Sequence, residues 1–127
     1  MVDNQIVFTN NIAKLIIEAE RLGIGLTFGE AYRTIEQQYL YYHGYGLELV
    51  GGEPETVKGK VRSKTMRSNH LRRLAVDFNF FINGKLTYSD DKVTELGAYW
   101  ESLNPLNRWG GNFKSIKDTP HFEMNVK

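Results

Sequence analysis

The sequence predicts an α+β fold with a central antiparallel sheet, about three helices and a long loop in the middle of the chain. Apolar residues recur at helical spacing in separate segments. Another segment alternates between large apolar and other residues, and an Asn-Gly pair follows it. The length of 127 residues suits one domain and leaves no room for a second. We therefore expect residues 1–127 to form a single domain.

The composition excludes several kinds of chemistry and location. The chain has a net charge of +1, 41% hydrophobic residues and three histidines. It has no cysteine, which excludes disulfides, thiolate metal ligands and a thiol nucleophile. No apolar run approaches the ~20 residues of a membrane span, and the first residues lack the pattern of a secretory signal. We expect a soluble protein that is made in the cytoplasm and does not insert into membranes.

The first predicted helix runs from Thr9 to Leu22. Thr9, Asn10 or Asn11 can cap its start, and Gly23 is a typical C-terminal stop. Its apolar residues share one face at spacings of three and four: Ile12, Leu15, Ile16, Ala19 and Leu22.

An extended stretch from Leu26 to Arg33 leads into the second predicted helix. Thr34 and Gln37 have the spacing of a capping box, in which two residues satisfy each other's backbone N–H groups. The helix should continue to about His43 and end at Gly44.

The middle of the chain predicts a long loop and then a hairpin. From Tyr45 to Ser68, glycines, Pro54 and mixed charges show neither the helical nor the strand period. Loops of this length are uncommon unless they are functional or mobile. Residues 74–81 then alternate, and Asn83-Gly84 before another short strand completes a hairpin signal.

The last third of the chain predicts one more helix and a final strand. Asp90 or Asp91 can open this helix, which Asn104-Pro105 closes. Its apolar positions are Val93, Leu96, Tyr99, Trp100 and Leu103. Residues 109–126 predict turn and strand.

Three candidate metal ligands lie in separate elements. Asp77 shares a strand face with Ala75, whose small side chain leaves room for a bound group. His70 stands seven residues earlier, so a turn near residues 71–73 must bring it to that face. Alternation in the last strand places His121 on its polar face and outside the core.

Two imidazoles and one carboxylate match a catalytic zinc site, which keeps a fourth position for water. Zinc would lower the pKa of that water and polarise a carbonyl. Asp118, three residues before His121, is a candidate base for the proton of the water. Spacing alone leaves open that the histidines are surface or hydrogen-bonding residues and that Asp118 caps a turn.

Three motifs resemble those of one peptidase family and occur in the same order. Residues 68–77, Ser-Asn-His-Leu-Arg-Arg-Leu-Ala-Val-Asp, resemble S-x-H-x-x-G-x-A-x-D. Residues 109–122 resemble W-G-G-D-W-K-S followed by D-x-P-H-F, and residues 32–38 resemble Y-R-S-x-E-E-Q. The chain is thus similar to the zinc D-alanyl-D-alanine carboxypeptidases, or VanY-like peptidases, and to phage L-alanyl-D-glutamate endopeptidases. Hedgehog signalling domains share the fold of this family.

The resemblance implies a zinc metallopeptidase that cleaves the stem peptides of bacterial peptidoglycan. His70, Asp77 and His121 would bind one Zn²⁺, and Asp118 would be the general base. The carboxypeptidase branch tends to have glutamate at the base position, so Asp118 favours the endopeptidase branch and its L-alanyl-D-glutamate bond. In the implied mechanism, Asp118 takes a proton from the attacking water and later gives it to the leaving amine.

The resemblance also assigns residues around the metal. Arg33 matches an arginine that binds substrate and steadies the developing oxyanion, and a structural ion pair is the alternative. Ser68 and Gln38 would support the site by hydrogen bonding. All three positions lie within or beside the matching motifs.

Several residues depart from the family pattern. Arg73 replaces the motif glycine, so a bulky residue occupies a turn where glycine would be freer. Asn112 and Phe113 replace aspartate and tryptophan, and Tyr45-Gly46 stands where Arg-Ser is common. No proposed ligand or base is changed, so we expect an effect on substrate fit more than on catalysis.

Three alternative functions come from other classes or another branch. The first is a D-alanyl-D-alanine carboxypeptidase. The second is a non-catalytic zinc-containing binding domain, as in hedgehog proteins, although Asp118 and Arg33 argue against it. The third is a non-haem iron oxygenase, which also uses two histidines and one carboxylate. Its histidine and carboxylate are typically two residues apart, whereas His70 and Asp77 are seven apart.

A basic segment precedes the first candidate ligand. Residues 58–73 contain seven basic residues and no acidic one. This charge could attract the carboxylates of stem peptides or anionic wall polymers. A nucleic-acid surface is less favoured because stacking aromatics are not interleaved, and a solvated loop is equally compatible with the pattern.

The resemblance also implies a biological setting. The protein would be a monomeric phage endolysin, one zinc peptidase catalytic domain with no separate wall-binding module. It would accumulate in the host cytoplasm and reach the wall once a separate protein permeabilises the membrane. Its partners would be peptidoglycan stem peptides and not nucleic acid.

Overall fold

The computed structural model describes residues 1–127 and confirms the predicted α+β class. In chain order the elements are α1 (Val2–Arg21), β1 (Gly25–Phe28), α2 (Ile35–His43), β2 (Tyr45–Val50), β3 (Glu53–Lys58), β4 (Ala75–Ile82), β5 (Lys85–Leu86), α3 (Asp91–Ser102), β6 (Asn107–Trp109) and β7 (His121–Met124). Two 3₁₀ turns lie before β4 (Asn69–Arg72) and between β6 and β7 (Gly110–Asn112). No helix has the length and apolar character needed to span a membrane.

The central sheet is antiparallel and has the strand order β1-β4-β7-β6, with β5 paired to one end of β4. Strand β4 is the longest and contacts β1, β5 and β7. Its inward side chains, Val76, Phe78 and Phe80, are buried against α1 and α3 in one core cluster. The opposite face of β4 carries Asp77 and is left for the candidate site.

Helix α1 begins at Val2 and not near Thr9. The predicted caps at Thr9, Asn10 and Asn11 are therefore wrong, and Asn11 is buried inside the helix. The first two turns are stabilised by tertiary packing, because the Phe8 ring lies edge-on to Trp100 at 5.6 Å. The buried face includes Phe8 and is rotated relative to the prediction, so that Ile16 is 38% exposed.

The local signals at α2, α3 and the β4–β5 turn are confirmed. Thr34 Oγ1 accepts a hydrogen bond from the backbone N–H of Gln37, and Gly44 ends α2 in the left-handed conformation. Asp90 caps α3 in the same manner. Asn83 and Gly84 have φ values of 51° and 77°, as a tight hairpin turn requires.

The predicted loop from Tyr45 to Ser68 is wrong over its first half. Strands β2 and β3 form a separate hairpin, with Val50 paired to Glu53 across the turn. Gly51 and Gly52 form that turn with φ values of 60° and 83°. Most of the hairpin is exposed on both faces, so its sequence lacks the apolar alternation by which strands are recognised. The pair Gly51-Gly52 was the feature of the sequence from which this hairpin could have been predicted.

The extended stretch predicted from Leu26 to Arg33 is only partly a strand. Strand β1 covers Gly25–Phe28, and the chain then leaves the sheet edge. It continues as an irregular segment, residues 29–34, that contacts the candidate site through its backbone.

Candidate metal centre and active site

The structure brings the three predicted ligands together. Asp77 and His121 are directly paired across β4 and β7. His70 approaches from the 3₁₀ turn before β4. The distances from Asp77 Oδ1 are 3.4 Å to His70 Nε2 and 3.1 Å to His121 Nδ1. One ligand atom from each residue lies within 4.8 Å of the others, a spacing that can hold a metal ion.

The turn that carries His70 is built by the residues on either side of it. Ser68 caps the turn, and its Oγ accepts a hydrogen bond from the backbone N–H of His70 at 3.2 Å. Arg73 ends the turn with a φ of 57°, the left-handed conformation that the glycine of the family motif adopts more freely. That conformation costs a non-glycine residue roughly 1–2 kcal/mol. The Arg73 guanidinium lies 4.1 Å from the ring centre of Tyr32, a cation–π contact that offsets part of the cost.

In each candidate histidine ligand, the ring nitrogen that faces away from Asp77 contacts a hydrogen-bond acceptor. His70 Nδ1 lies 3.0 Å from the carbonyl oxygen of Ala31. A carbonyl can only accept, so Nδ1 carries the proton and Nε2 presents its lone pair towards Asp77. His121 Nε2 donates to Glu123 Oε1 at 2.7 Å, which leaves Nδ1 on the side of Asp77. This pattern of outer acceptors is typical of metal-binding histidines.

Glu123 had no role in the sequence-based prediction, although its position two residues after His121 places both on one strand face. The side chain is buried, and it also accepts a hydrogen bond from Arg108 Nε at 2.9 Å. Burial alone would raise the pKa of Glu123, but the hydrogen bonds from His121 and Arg108 lower it to about 2. Glu123 is therefore ionised at neutral pH.

His121 lies outside the apolar core, as predicted, but it is buried. Its side chain lies on the polar face of β7, as expected, but that face is covered and His121 is only 7% exposed. Burial would lower the pKa of His121, yet the hydrogen bonds to Asp77 and Glu123 raise it to about 9 in the absence of metal. Burial also opposes ionisation of Asp77, whose pKa is nevertheless lowered strongly, chiefly by the hydrogen bond from His121. A divalent cation would replace the proton on His121.

Asp118 lies at the mouth of this cluster. Its Oδ2 is 3.9 Å from His121 Nδ1, and its side chain is 52% exposed. Partial burial raises its pKa, and the negative charge of Asp77 acts in the same direction. Backbone contacts fix the loop that carries Asp118, because the N–H of Asp118 donates a hydrogen bond to the carbonyl of Gly110. A side chain at position 110 would not fit, since its Cβ would lie 2.0 Å from the backbone oxygen of Asp118. Only glycine permits this close approach.

Arg33 is enclosed by hydrogen-bond acceptors. Its Nε donates to Glu30, and its Nη1 donates to Gln38 Oε1 at 2.7 Å and to Ser68 Oγ at 3.3 Å. The guanidinium also lies 4.8 Å from the ring centre of Tyr41. The structural ion pair left open by the sequence is therefore present, with Glu30 as its partner.

Backbone contacts connect Arg33 to the metal cluster. The N–H of Asp77 donates to the carbonyl of Glu30 at 2.8 Å, and the N–H of Arg33 donates to the carbonyl of His70 at 3.2 Å. Gln38 is fully buried and donates to Ser63 Oγ at 2.8 Å. Segment 29–33 thus fixes Arg33 relative to two candidate ligands, an arrangement that local sequence patterns do not reveal.

Comparisons with known proteins identify a matching family, a related sequence and a similar fold. A family model described as D-alanyl-D-alanine carboxypeptidase matches residues 61–124, a range that includes His70, Asp77, Asp118 and His121. An L-alanyl-D-glutamate peptidase of Listeria phage A118 is 32% identical over 118 residues. The match covers 90% of this chain and 35% of that protein, so the chain spans about a third of its relative's length.

A solved structure shares the fold. The crystal structure of the Serratia marcescens L-Ala D-Glu endopeptidase ChiX matches with a TM-score of 0.63. The match covers 97% of this chain and 84% of that chain, at 22% sequence identity. At this identity the likeness establishes a common arrangement of helices and strands.

Proposed function

The chain belongs to the D-alanyl-D-alanine carboxypeptidase family, and from this premise we propose that it is a zinc-dependent peptidase of bacterial peptidoglycan. The observation that carries the proposal is the pair of histidine nitrogens that face one carboxylate, each held from behind by an acceptor. The bond we favour is L-alanyl-D-glutamate. The 32% identical phage relative is named for that bond, and we assign the base position of the family motif to Asp118.

The residues present fit a zinc ion. His70 Nε2, Asp77 and His121 Nδ1 would hold it, and the Ala31 carbonyl and Glu123 would orient the imidazoles. Bound zinc would lower the pKa of a water molecule and polarise the scissile carbonyl. Iron accepts a similar ligand set, so metal analysis is part of the test.

The protein's own groups supply the proton transfers and the positioning. Asp118, half-exposed beside His121, would take a proton from the attacking water and return it to the leaving amine. Arg33 would direct its guanidinium at the substrate and at the negative charge that develops on the carbonyl oxygen. Glu30, Gln38 and Ser68 hold that guanidinium in one orientation.

We further propose that residues 1–127 form the catalytic domain, that the domain acts as a monomer, and that its substrate is the stem peptide of the wall. A separate membrane-permeabilising protein would give it access to the wall from the cytoplasm. The ligand cluster and the strands β4 to β7 lie within residues 61–124, the range that the family model matches.

The test is to incubate the zinc-loaded protein with purified peptidoglycan and to identify the new amino termini by mass spectrometry. Chelator-sensitive appearance of amino-terminal D-glutamate supports the proposal. Release of free D-alanine would assign the carboxypeptidase activity for which the matched family is described. Absence of both products from a zinc-containing sample would refute peptidase function.

A matched histidine pair controls for the metal. His70→Ala should lose bound zinc and activity together. His43→Ala should retain both zinc and activity, because His43 is exposed on α2 and its ring packs beside Tyr39 and Tyr42, away from the ligand cluster. Equal zinc content in the two variants would remove His70 from the ligand set.

A further inference from the structure

A cleft of 660 Å³ opens beside Asp118 and between the loops of residues 61–65 and 113–118. We propose that this cleft binds the free carboxylate of the substrate residue that carries the leaving amine. The inference rests on the proposed peptidase function and adds a recognition site to it.

The charge of the cleft is positive. Arg62, Lys64 and Lys117 line it, and Asp118 is its one acidic residue. None of the three basic side chains forms an ion pair within the protein. They are exposed, and the backbone N–H of Arg62 is anchored to the carbonyl of Tyr41 at 2.9 Å. A cleft with unpaired cations favours an anionic ligand.

The cleft shares residues with the candidate active site. Its wall includes Phe113, whose ring centre lies 5.7 Å from that of His121. On the other wall, Ser63 accepts a hydrogen bond from Gln38, the residue that holds Arg33. A ligand in the cleft therefore lies next to the groups assigned to catalysis.

The position of Asp118 gives the orientation of the peptide. Asp118 returns a proton to the leaving amine, so the residue that carries this amine must lie against Asp118 and enter the cleft. In a stem peptide, D-glutamate continues through its γ-carboxyl group and keeps a free α-carboxylate on the same carbon as that amine. A terminal D-alanine has the same arrangement, so both candidate bonds present this carboxylate to the cations.

Two tripeptides test the proposal: L-Ala-γ-D-Glu-L-Lys and its α-amide, in which D-isoglutamine replaces D-glutamate. The zinc-loaded protein should show a KM about three- to fivefold lower for the acid than for the amide. In the double variant Lys64→Gln/Lys117→Gln, the KM for the acid should rise to that for the amide, with kcat within about twofold. Equal KM values for the two peptides in the parent protein would overturn the cleft proposal. An equal change in KM for both peptides in the variant would also overturn it.

The control double variant is Lys14→Gln/Lys85→Gln, which removes the same charge from exposed positions on α1 and β5. It should keep the preference for the acid, and loss of the preference would show an effect of net charge alone. Calorimetric titration of the Asp118→Asn protein with both tripeptides separates the two proposals, since it needs no turnover. Tighter binding of the acid that depends on Lys64 and Lys117 supports the cleft even if no bond is cleaved, and equal binding refutes it.

Discussion

Asp118→Asn is the substitution that tests the proposed mechanism most directly. The change is isosteric and removes the ability to accept a proton. General acid–base groups contribute about 10²- to 10⁴-fold to the rate. We therefore expect kcat to fall by about 10²- to 10⁴-fold, which corresponds to about 3 to 5 kcal/mol of activation free energy. KM should change little, because the lost interaction belongs to the transition state.

The structure predicts that folding and metal binding survive this change. The Asp118 carboxylate is half-exposed, and its nearest basic group is His121 Nδ1 at 3.9 Å. The backbone bonds that place residue 118, from its N–H to Gly110 and from His121 N–H to its carbonyl, do not involve the side chain. The free energy of unfolding should change by no more than about 0.5 kcal/mol.

The assay combines single-substrate kinetics on the tripeptide with zinc analysis of the same preparation. Asp3→Asn, an exposed substitution in the first turn of α1, is the control and should behave as the parent protein. A variant at position 118 that keeps more than about a tenth of the parent kcat with full zinc content would refute the role of Asp118 as the base. Loss of zinc would instead make Asp118 a ligand.

Glu123→Gln should weaken zinc affinity by about 10- to 100-fold, since the carboxylate that orients His121 is lost. Competition with a chromophoric chelator measures this affinity. An unchanged affinity would contradict the role of Glu123. Arg33→Lys should lower kcat by about 100-fold with zinc retained, because an ammonium group cannot reproduce the planar contacts to Glu30 and Gln38. Parent-like kinetics would leave Arg33 a purely structural ion pair. The metal-free protein should lose thermal stability as the pH rises from 6.5 towards 9. The pKa of His121 is raised to about 9, so its stabilising protonated form is fully present below pH 6.5 and is lost as the pH passes 9. A melting temperature that increases over this range in scanning calorimetry would contradict that assignment.

The sequence predicted elements well where the deciding interactions are local. The caps at Thr34 and Asp90 and the Asn83-Gly84 turn each depend on residues within a few positions of one another, and each is present. The start of α1 depends on tertiary packing, and the β2–β3 hairpin is a strand pair that is mostly exposed on both faces. Neither leaves a clear periodic pattern, and both were missed.

The candidate site divides in the same way. The motifs predicted the residues that would contact the metal or the substrate, because these positions match the family motifs: His70, Asp77, His121, Asp118 and Arg33. Glu123 and Glu30 were not identified. Their importance comes from which nitrogen of His121 and which edge of Arg33 they contact, and those contacts exist only in the folded chain.

The sequence by itself determined the fold class and the family, and it predicted which side chains bind the metal and transfer a proton. Tertiary structure alone decided which imidazole nitrogens face Asp77, because the acceptor behind His70 comes from residue 31 and because Asp77 meets His121 only through the pairing of β4 with β7. It also decided that three cations from two loops converge beside Asp118. The physical reason is that ligation and charge recognition depend on distance and direction in space, whereas a sequence specifies only the order of residues along the chain.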